Sequence, residues 1–158
     1  HLQNVERLQF VDSCVGGSFA AIRSDGSVVT WGRKAVGGDS RAVQKVLKQV
    51  KDIQATSAAY AALLDDGRVV TWGPAMKGGD SSLVKEQLRD VCRIQANDGA
   101  FAAIRKDGSV VTWGMFRLGG DSRRVREQLG RTKAQDDASR KKARAASPAV
   151  QAKAKAKA

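Results

Sequence analysis

Three copies of Gly-Gly-Asp-Ser, at residues 37–40, 78–81 and 119–122, are the segments of this chain that most resemble chemistry. Glycines opening a helix can cradle a phosphate with backbone N–H groups. Here the aspartate of each copy would repel that phosphate, and no Gly-Lys-Ser/Thr follows. The segments read better as loop ends in which Asp39 or Ser40 caps a helix. Asp65-Asp66 suggests paired carboxylates, but Asp66 belongs to an Asp-Gly turn and the first copy has Ser24 in place of Asp65. The only histidine is His1, so a Ser/His/Asp set is not available. Cys14 and Cys92 are too few for a metal cluster or a disulfide framework, and Cys92 fills a slot held by Lys51 in the preceding copy, which predicts partial exposure. The expectation is no catalytic residue, no metal, no cofactor and no enzyme.

What must position these segments is a repeat. Gly26-Ser-Val-Val-Thr-Trp-Gly32 recurs as Gly67-Arg-Val-Val-Thr-Trp-Gly73 and Gly108-Ser-Val-Val-Thr-Trp-Gly114, so Trp31, Trp72 and Trp113 stand forty-one residues apart. Each Asp-Gly pair (Asp25-Gly26, Asp66-Gly67, Asp107-Gly108) lies between β-rich runs and predicts a type I′ hairpin. Folding the first copy about such a turn pairs Ile22 with Val29 and Ala20 with Trp31. Both faces are then largely apolar, so stacked neighbours should cover both. The tryptophans are expected to be core that holds the units together. Val43, Leu47 and Val50 follow at helical spacing, as do Val84, Leu88 and Val91, then Val125 and Leu129, predicting a short helix after each loop. The unit is thus strand, Asp-Gly hairpin of two strands, loop and helix. The first copy carries extra residues between Leu8 and Phe19, including Cys14 and Gly16-Gly17, which reads as a terminal unit capping the stack.

The fold class is mainly β with short helices: three tandem blade-like repeats in an open partial propeller or a pseudo-threefold arrangement. The expected domains are residues 1–130, with units of about 5–48, 49–89 and 90–130, and a basic Ala/Lys-rich tail, 131–158, disordered or partly helical. The formal charge of +12 is concentrated there, since residues 131–158 hold nine Lys/Arg against two Asp. With one large apolar side chain, Val150, that tail has no core to build. It could contact phosphates or an acidic partner through Arg140, Lys141, Lys142, Arg144, Lys153, Lys155 and Lys157, by salt-sensitive counterion release. Its Lys/Ala composition with Ser147-Pro148 resembles linker-histone tails. No run approaches eighteen apolar residues, so no transmembrane segment is expected. A chain opening on His1 reads as a processed or partial product, and an intracellular location is favoured, nuclear, cytoplasmic or organellar.

The order V-x-x-I-x-A, aromatic-A-A-I, D-G-x-V-x-x-W-G, sharpest in Asp25-Gly26-Ser27-Val28-Val29-Thr30-Trp31-Gly32 and its counterparts, resembles the repeat of the regulator of chromosome condensation family. The likeness covers roughly residues 5–130. It implies β-propeller blades and a role in binding proteins, in some members chromatin or small GTPases. The chain departs from the family pattern in three respects. Its unit is shorter, Gly-Gly-Asp-Ser replaces Gly-Gln-Leu-Gly, and the histidine usual before the Ala-Leu strand is absent, with Phe19, Tyr60 and Phe101 nearby instead. A seven-bladed ring at this period would need about 290 residues. No nucleotide-exchange residues carry over.

Binding residues are sought where the copies differ. The four residues after each Trp-Gly are Arg33-Lys34-Ala35-Val36, Pro74-Ala75-Met76-Lys77 and Met115-Phe116-Arg117-Leu118. Stacked units would line these loops along one edge, and loops on a rigid scaffold commonly carry function. Arg33, Lys34, Lys77, Met115, Phe116 and Arg117 are the candidate partner contacts. The leading expectation is a non-enzymatic protein-interaction or scaffold module, a peripheral subunit of a larger assembly. The alternative is a chromatin- or nucleic-acid-associated protein using the tail, and an open arc would also permit self-association.

Overall fold

Each repeat folds into one three-stranded antiparallel sheet. A computed structural model describes residues 4–14 and 16–129. Blade 1 comprises β1 (Val5–Val11), β2 (Ser18–Arg23) and β3 (Val28–Gly32). Blade 2 comprises β4 (Val50–Ala55), β5 (Tyr60–Leu64) and β6 (Val69–Trp72), and blade 3 β7 (Val91–Ala96), β8 (Ala100–Arg105) and β9 (Val110–Gly114). The first strand of every blade shifts register at the same place, at Val5/Arg7, Val50/Asp52 and Val91/Arg93. Such bulges re-aim side chains, and Arg7 of blade 1 ion-pairs with Asp52 of blade 2.

The hairpin register differs from the sequence expectation by one residue. Ile22 pairs with Val28, Ala20 with Thr30 and Phe19 with Trp31. The cause is the turn. Gly26 N–H donates to Arg23 O and Arg23 N–H to Ser27 O, so the loop is Ser24-Asp25-Gly26 rather than Asp-Gly alone. Only the glycine takes positive φ (+73°), the pattern of a type I turn closed by a G1 bulge. Asp25 Oδ1 accepts Ser27 N–H at 2.9 Å, and Asp66 and Asp107 repeat this contact. A slip of one residue swaps the faces. Phe19 and Trp31 therefore share one face, and Ala20, Ile22 and Val28 the other.

The blades pack in sequence. One core lies between blades 1 and 2, uniting Ala20, Ile22 and Val28 with Ile53, Tyr60, Ala62 and Trp72. A second unites Ala61 and Leu63 with Ile94, Phe101, Ala103 and Trp113. β5 is consequently buried along its whole length. Among the described residues no third core joins blade 3 to blade 1, so the arrangement is an open partial propeller and not a closed threefold.

The expected helices shorten to turns. Ser82–Gln87 and Arg123–Val125 are 3-10 segments, followed by one α turn, α1 (Arg126–Leu129), in the last copy. In the first copy residues 41–46 form only hydrogen-bonded turns. The i, i+4 spacing is still used, since Leu47 N–H reaches Val43 O at 3.1 Å and both leucines, Leu47 and Leu88, are buried. Gln49 and Asp90 then take left-handed φ of +53° and +54°, which ends the turn, so Val50 and Val91 open strands instead. Asp39 and Ser40 do not cap a helix. Asp39 Oδ1 accepts Arg41 N–H, while Ser40 is buried and bonds Thr30 Oγ1.

Candidate protein-binding edge

The residues after each Trp-Gly form a one-turn 3-10 segment: Lys34–Val36, Ala75–Lys77 and Phe116–Leu118. The repeated motif around them fixes their shape. A left-handed glycine closes each one, Gly37, Gly78 and Gly119, with φ of +86°, +90° and +92°. The next glycine is required by close approach. A β-carbon on Gly38 or Gly79 would lie 2.7 or 2.1 Å from the backbone of Gly32 or Gly73. The threonine of Val-Val-Thr-Trp-Gly bonds the serine of Gly-Gly-Asp-Ser at 2.8 Å for Thr30–Ser40 and 3.0 Å for Thr71–Ser81 and Thr112–Ser122. The aspartate accepts the backbone N–H two residues on in all three copies, at Arg41, Ser82 and Arg123. Contact with the Arg41 guanidinium lowers Asp39 to about 2, and Asp80 and Asp121 are lowered by their own hydrogen bonds to Ser82 and Arg123. Gly-Gly-Asp-Ser is thus a framework that holds a turn.

All three turns sit at the same end of their sheets, tied to the loop between the first two strands or, in blade 1, to the first residue of β2. Ser18 Oγ donates to Val36 O at 2.6 Å, Thr56 Oγ1 to Lys77 O at 2.9 Å and Asn97 Nδ2 to Leu118 O at 2.6 Å. Ser18 is the first residue of β2, after the lengthened β1–β2 connection, and supplies from a different position the bond that Thr56 and Asn97 supply elsewhere.

On this frame the candidate contacts divide. Lys34, Phe116 and Arg117 project into solvent, with Phe116 65% exposed. Arg33 is also exposed, its stem lying over Gly16. Lys77 is half-buried and committed to Asp98 at 3.0 Å, an ion pair from blade 2 to blade 3. Met115 is half-buried, and Leu118, Met115 and Lys77 crowd Gly99 so that a β-carbon there would sit 2.8, 3.3 and 3.4 Å from them. Met76, 76% exposed, is the most open large apolar side chain of the three turns. The tail candidates Arg140, Lys141, Lys142, Arg144, Lys153, Lys155 and Lys157 lie outside the described residues. Among the described residues no group of three His, Cys, Asp or Glu is placed to hold a metal ion, and no helix is long and apolar enough to cross a membrane. Cys14 and Cys92 are both exposed.

The tryptophans behave as core at two positions only. Trp72 and Trp113 are 5% and 4% exposed, and each indole N–H donates at 3.0 Å across to the preceding blade, to Gly37 O and Gly78 O. Trp31 is half-buried and has no such acceptor among the described residues. It stacks on Phe19 within its own blade, at 5.1 Å, and does not join two units. The first blade is also no polar cap, because Leu8, Phe10 and Phe19 stand 52%, 59% and 36% exposed on one face. Sequence reasoning missed that face, since its residue types match those buried in the other copies.

No family model and no curated protein matches the chain. Similar solved structures exist. The crystal structure of Prp20p from Saccharomyces cerevisiae aligns with a TM-score of 0.53 at 20% identity, over 75% of this chain and 33% of that one. Human WBSCR16 aligns at 0.48 and 20% identity, over 82% of this chain and 37% of that one. Yeast RCC1 (Prp20), in its complex with Kap60, aligns at 0.45 and 18% identity over 61% and 27%. The chain spans about a third of the length of these proteins. The Prp20p alignment establishes the fold: the repeat is a β-propeller blade of the RCC1 type.

Proposed function

We propose that this chain is a non-enzymatic protein-interaction module, a peripheral or scaffold piece of a larger assembly, that meets its partner along the edge carrying the three 3-10 turns. One observation carries the reading. The backbone frame of the turns is the same three times, while the side chains it exposes differ: Lys34 and Ala35, Ala75 and Met76, Phe116 and Arg117. Exposed Met and Phe interleaved with Lys and Arg suit the apolar core and charged rim of a protein interface. The RCC1-type fold supports it by analogy, since Prp20p was described with its binding to Gsp1p and histones. The test is affinity capture with the wild-type chain and with a Met76→Asp/Phe116→Asp variant of unchanged unfolding midpoint. Loss of the same captured proteins supports the proposal, and equal capture by both refutes it.

A second reading is association with chromatin or nucleic acid through residues 131–158, treated as a tail on a 1–130 repeat unit. It is favoured by nine Lys/Arg against two Asp in that segment. Retention on DNA or heparin should then fall steeply with salt and be lost on removing 131–158. Unchanged retention would end this reading and leave the first intact.

A further inference from the structure

The two ends of the blade stack are the two halves of the joint that holds it together. Inside the chain that joint occurs twice. On one side stands the aromatic face of the following blade: Ile53, Tyr60 and Trp72, or Ile94, Phe101 and Trp113, all 5% exposed or less. On the other stands the left-handed glycine of the preceding blade. The ring of Tyr60 packs so close over Gly37, and that of Phe101 over Gly78, that a β-carbon on either glycine would lie 2.6 Å from the ring. The tryptophan of the same blade donates to that glycine's carbonyl at 3.0 Å in both cases. At the turn end, Val50 and Val91 N–H donate to Gly26 O and Gly67 O, both at 2.9 Å.

Blade 1 presents the first half with nothing opposite it among the described residues. Leu8, Phe19 and Trp31 are the counterparts of Ile53, Tyr60 and Trp72 by register, and they are exposed or half-exposed. Their stack is already formed: the Phe19–Trp31 rings sit at 5.1 Å and 12°, against 5.2 Å and 14° for Tyr60–Trp72. Blade 3 presents the second half. Among the described residues Gly119 and Gly108 have nothing within 4 Å of where a β-carbon would be, whereas Gly37, Gly78, Gly26 and Gly67 are all crowded by the next blade. Beside Gly119 lies a recess of about 210 Å³ lined by Ala96, Ala102 and Leu118 among others. Ile104 and Val110, on the same face of β8 and β9, are half-exposed.

We propose that the occupant of each open face is the opposite face of a second copy of this chain, docked head to tail. Phe19 of one copy seats on Gly119 of another, and its Trp31 indole donates to that glycine's carbonyl. The argument is continuity with an interface already used twice, with both halves preformed on one molecule. Such heterologous contacts yield rings or open chains according to the turn per subunit. One contact is wrong in sign. The counterpart of the Arg7–Asp52 ion pair sets Arg7 of the docking copy against Arg93, which weakens the joint. The second face shares Leu118 and Gly119 with the third turn but not the exposed side chains of Met76 and Phe116, so Met76→Asp/Phe116→Asp should leave self-association intact while it abolishes partner capture.

Sedimentation of the full chain tests it with two variants at exposed or half-exposed positions, Leu8→Asp on the first face and Ile104→Lys on the second, each checked for unchanged circular dichroism. The wild type should show at least twice the mass of either variant alone. An equimolar mixture of the two variants retains one intact face of each kind and should form a one-to-one complex of twice the variants' mass. Arg93→Asp, which leaves the internal Arg7–Asp52 ion pair in place, should tighten association severalfold. A monomeric wild type at every concentration, or a mixture that stays monomeric while the wild type associates, overturns the proposal. The first outcome would point to another partner or to residues 130–158 on these faces, the second to face-to-face pairing.

Discussion

Blades 1 and 2 carry the same aromatic pair in the same internal geometry, yet one pair is half in solvent and the other sealed. Phe19–Trp31 and Tyr60–Trp72 stack at 5.1 and 5.2 Å, while Phe19 is 36% exposed and Tyr60 fully buried. The stack is therefore a property of the blade. Burial, and the indole hydrogen bond that accompanies it, come only from the neighbour. In a repeat stack stability is approximately the sum of the units' own terms and such nearest-neighbour joints.

The comparison breaks most sharply at the tryptophans. Trp72→Ala and Trp113→Ala should each cost about 3–5 kcal/mol in denaturant unfolding, as fully buried aromatics do, with an orphaned glycine carbonyl added. Trp31→Ala in a chain kept monomeric should cost less than half as much. Equal losses at all three positions would show that the joint is not where stability lies.

A second contrast uses the glycines. Gly78→Ala meets the Phe101 ring at 2.6 Å in a left-handed conformation, while Gly119→Ala, at nearly the same φ, meets nothing among the described residues. The left-handed strain of about 1–2 kcal/mol is common to both. Overpacking adds about 1–3 kcal/mol at Gly78 alone, so the difference between the two unfolding midpoints isolates the joint.

Smaller again is Tyr60→Phe. It removes a buried hydroxyl that bonds Ser18 Oγ at 2.9 Å across blades 1 and 2, and should cost about 1 kcal/mol. Phe101 already serves at this place in blade 3, so the ring itself fits. A loss as large as that from Trp72→Ala would point to a wider polar network.

The smallest effect concerns pH and should not distinguish the blades at all. Asp25, Asp66 and Asp107 in the hairpins and Asp39, Asp80 and Asp121 in the turns are all held below the ordinary aspartate range by hydrogen bonds, Asp39 at about 2. A depressed carboxyl contributes stability above its unfolded value, near 4, and loses it as pH falls through the folded value. Unfolding midpoints should be level from neutrality to about pH 5 and decline progressively from about 4 towards 2. A maximum near pH 3 would contradict this.

Much of the comparison was legible beforehand. The period, three strands per unit and sequential stacking follow from Val-Val-Thr-Trp-Gly and the Asp-Gly pairs. The one-residue register error arose because Ser24 joins the turn, a choice of loop length that Asp-Gly alone does not encode. The valine and leucine spacing reads as a helix because Val43 and Leu47 satisfy both an α turn and a 3-10 turn, while the left-handed Gln49 that stops it carries no glycine as a signal. At the candidate edge, the exposed Lys34 and Phe116 could be read from variability, but the diversion of Lys77 to Asp98 depends on a contact between blades. The open faces could not be read, because exposure there is decided by what lies opposite and not by residue type.

The central claim is that one joint is used twice inside the chain and left open at its ends. Indole N–H hydrogen exchange, followed by NMR in the Leu8→Asp variant, tests it directly, since Trp31, Trp72 and Trp113 give three separate signals. Trp72 and Trp113 should be strongly protected and Trp31 should exchange as an open side chain. Equal protection of all three, or rapid exchange at Trp72 and Trp113, would contradict the account.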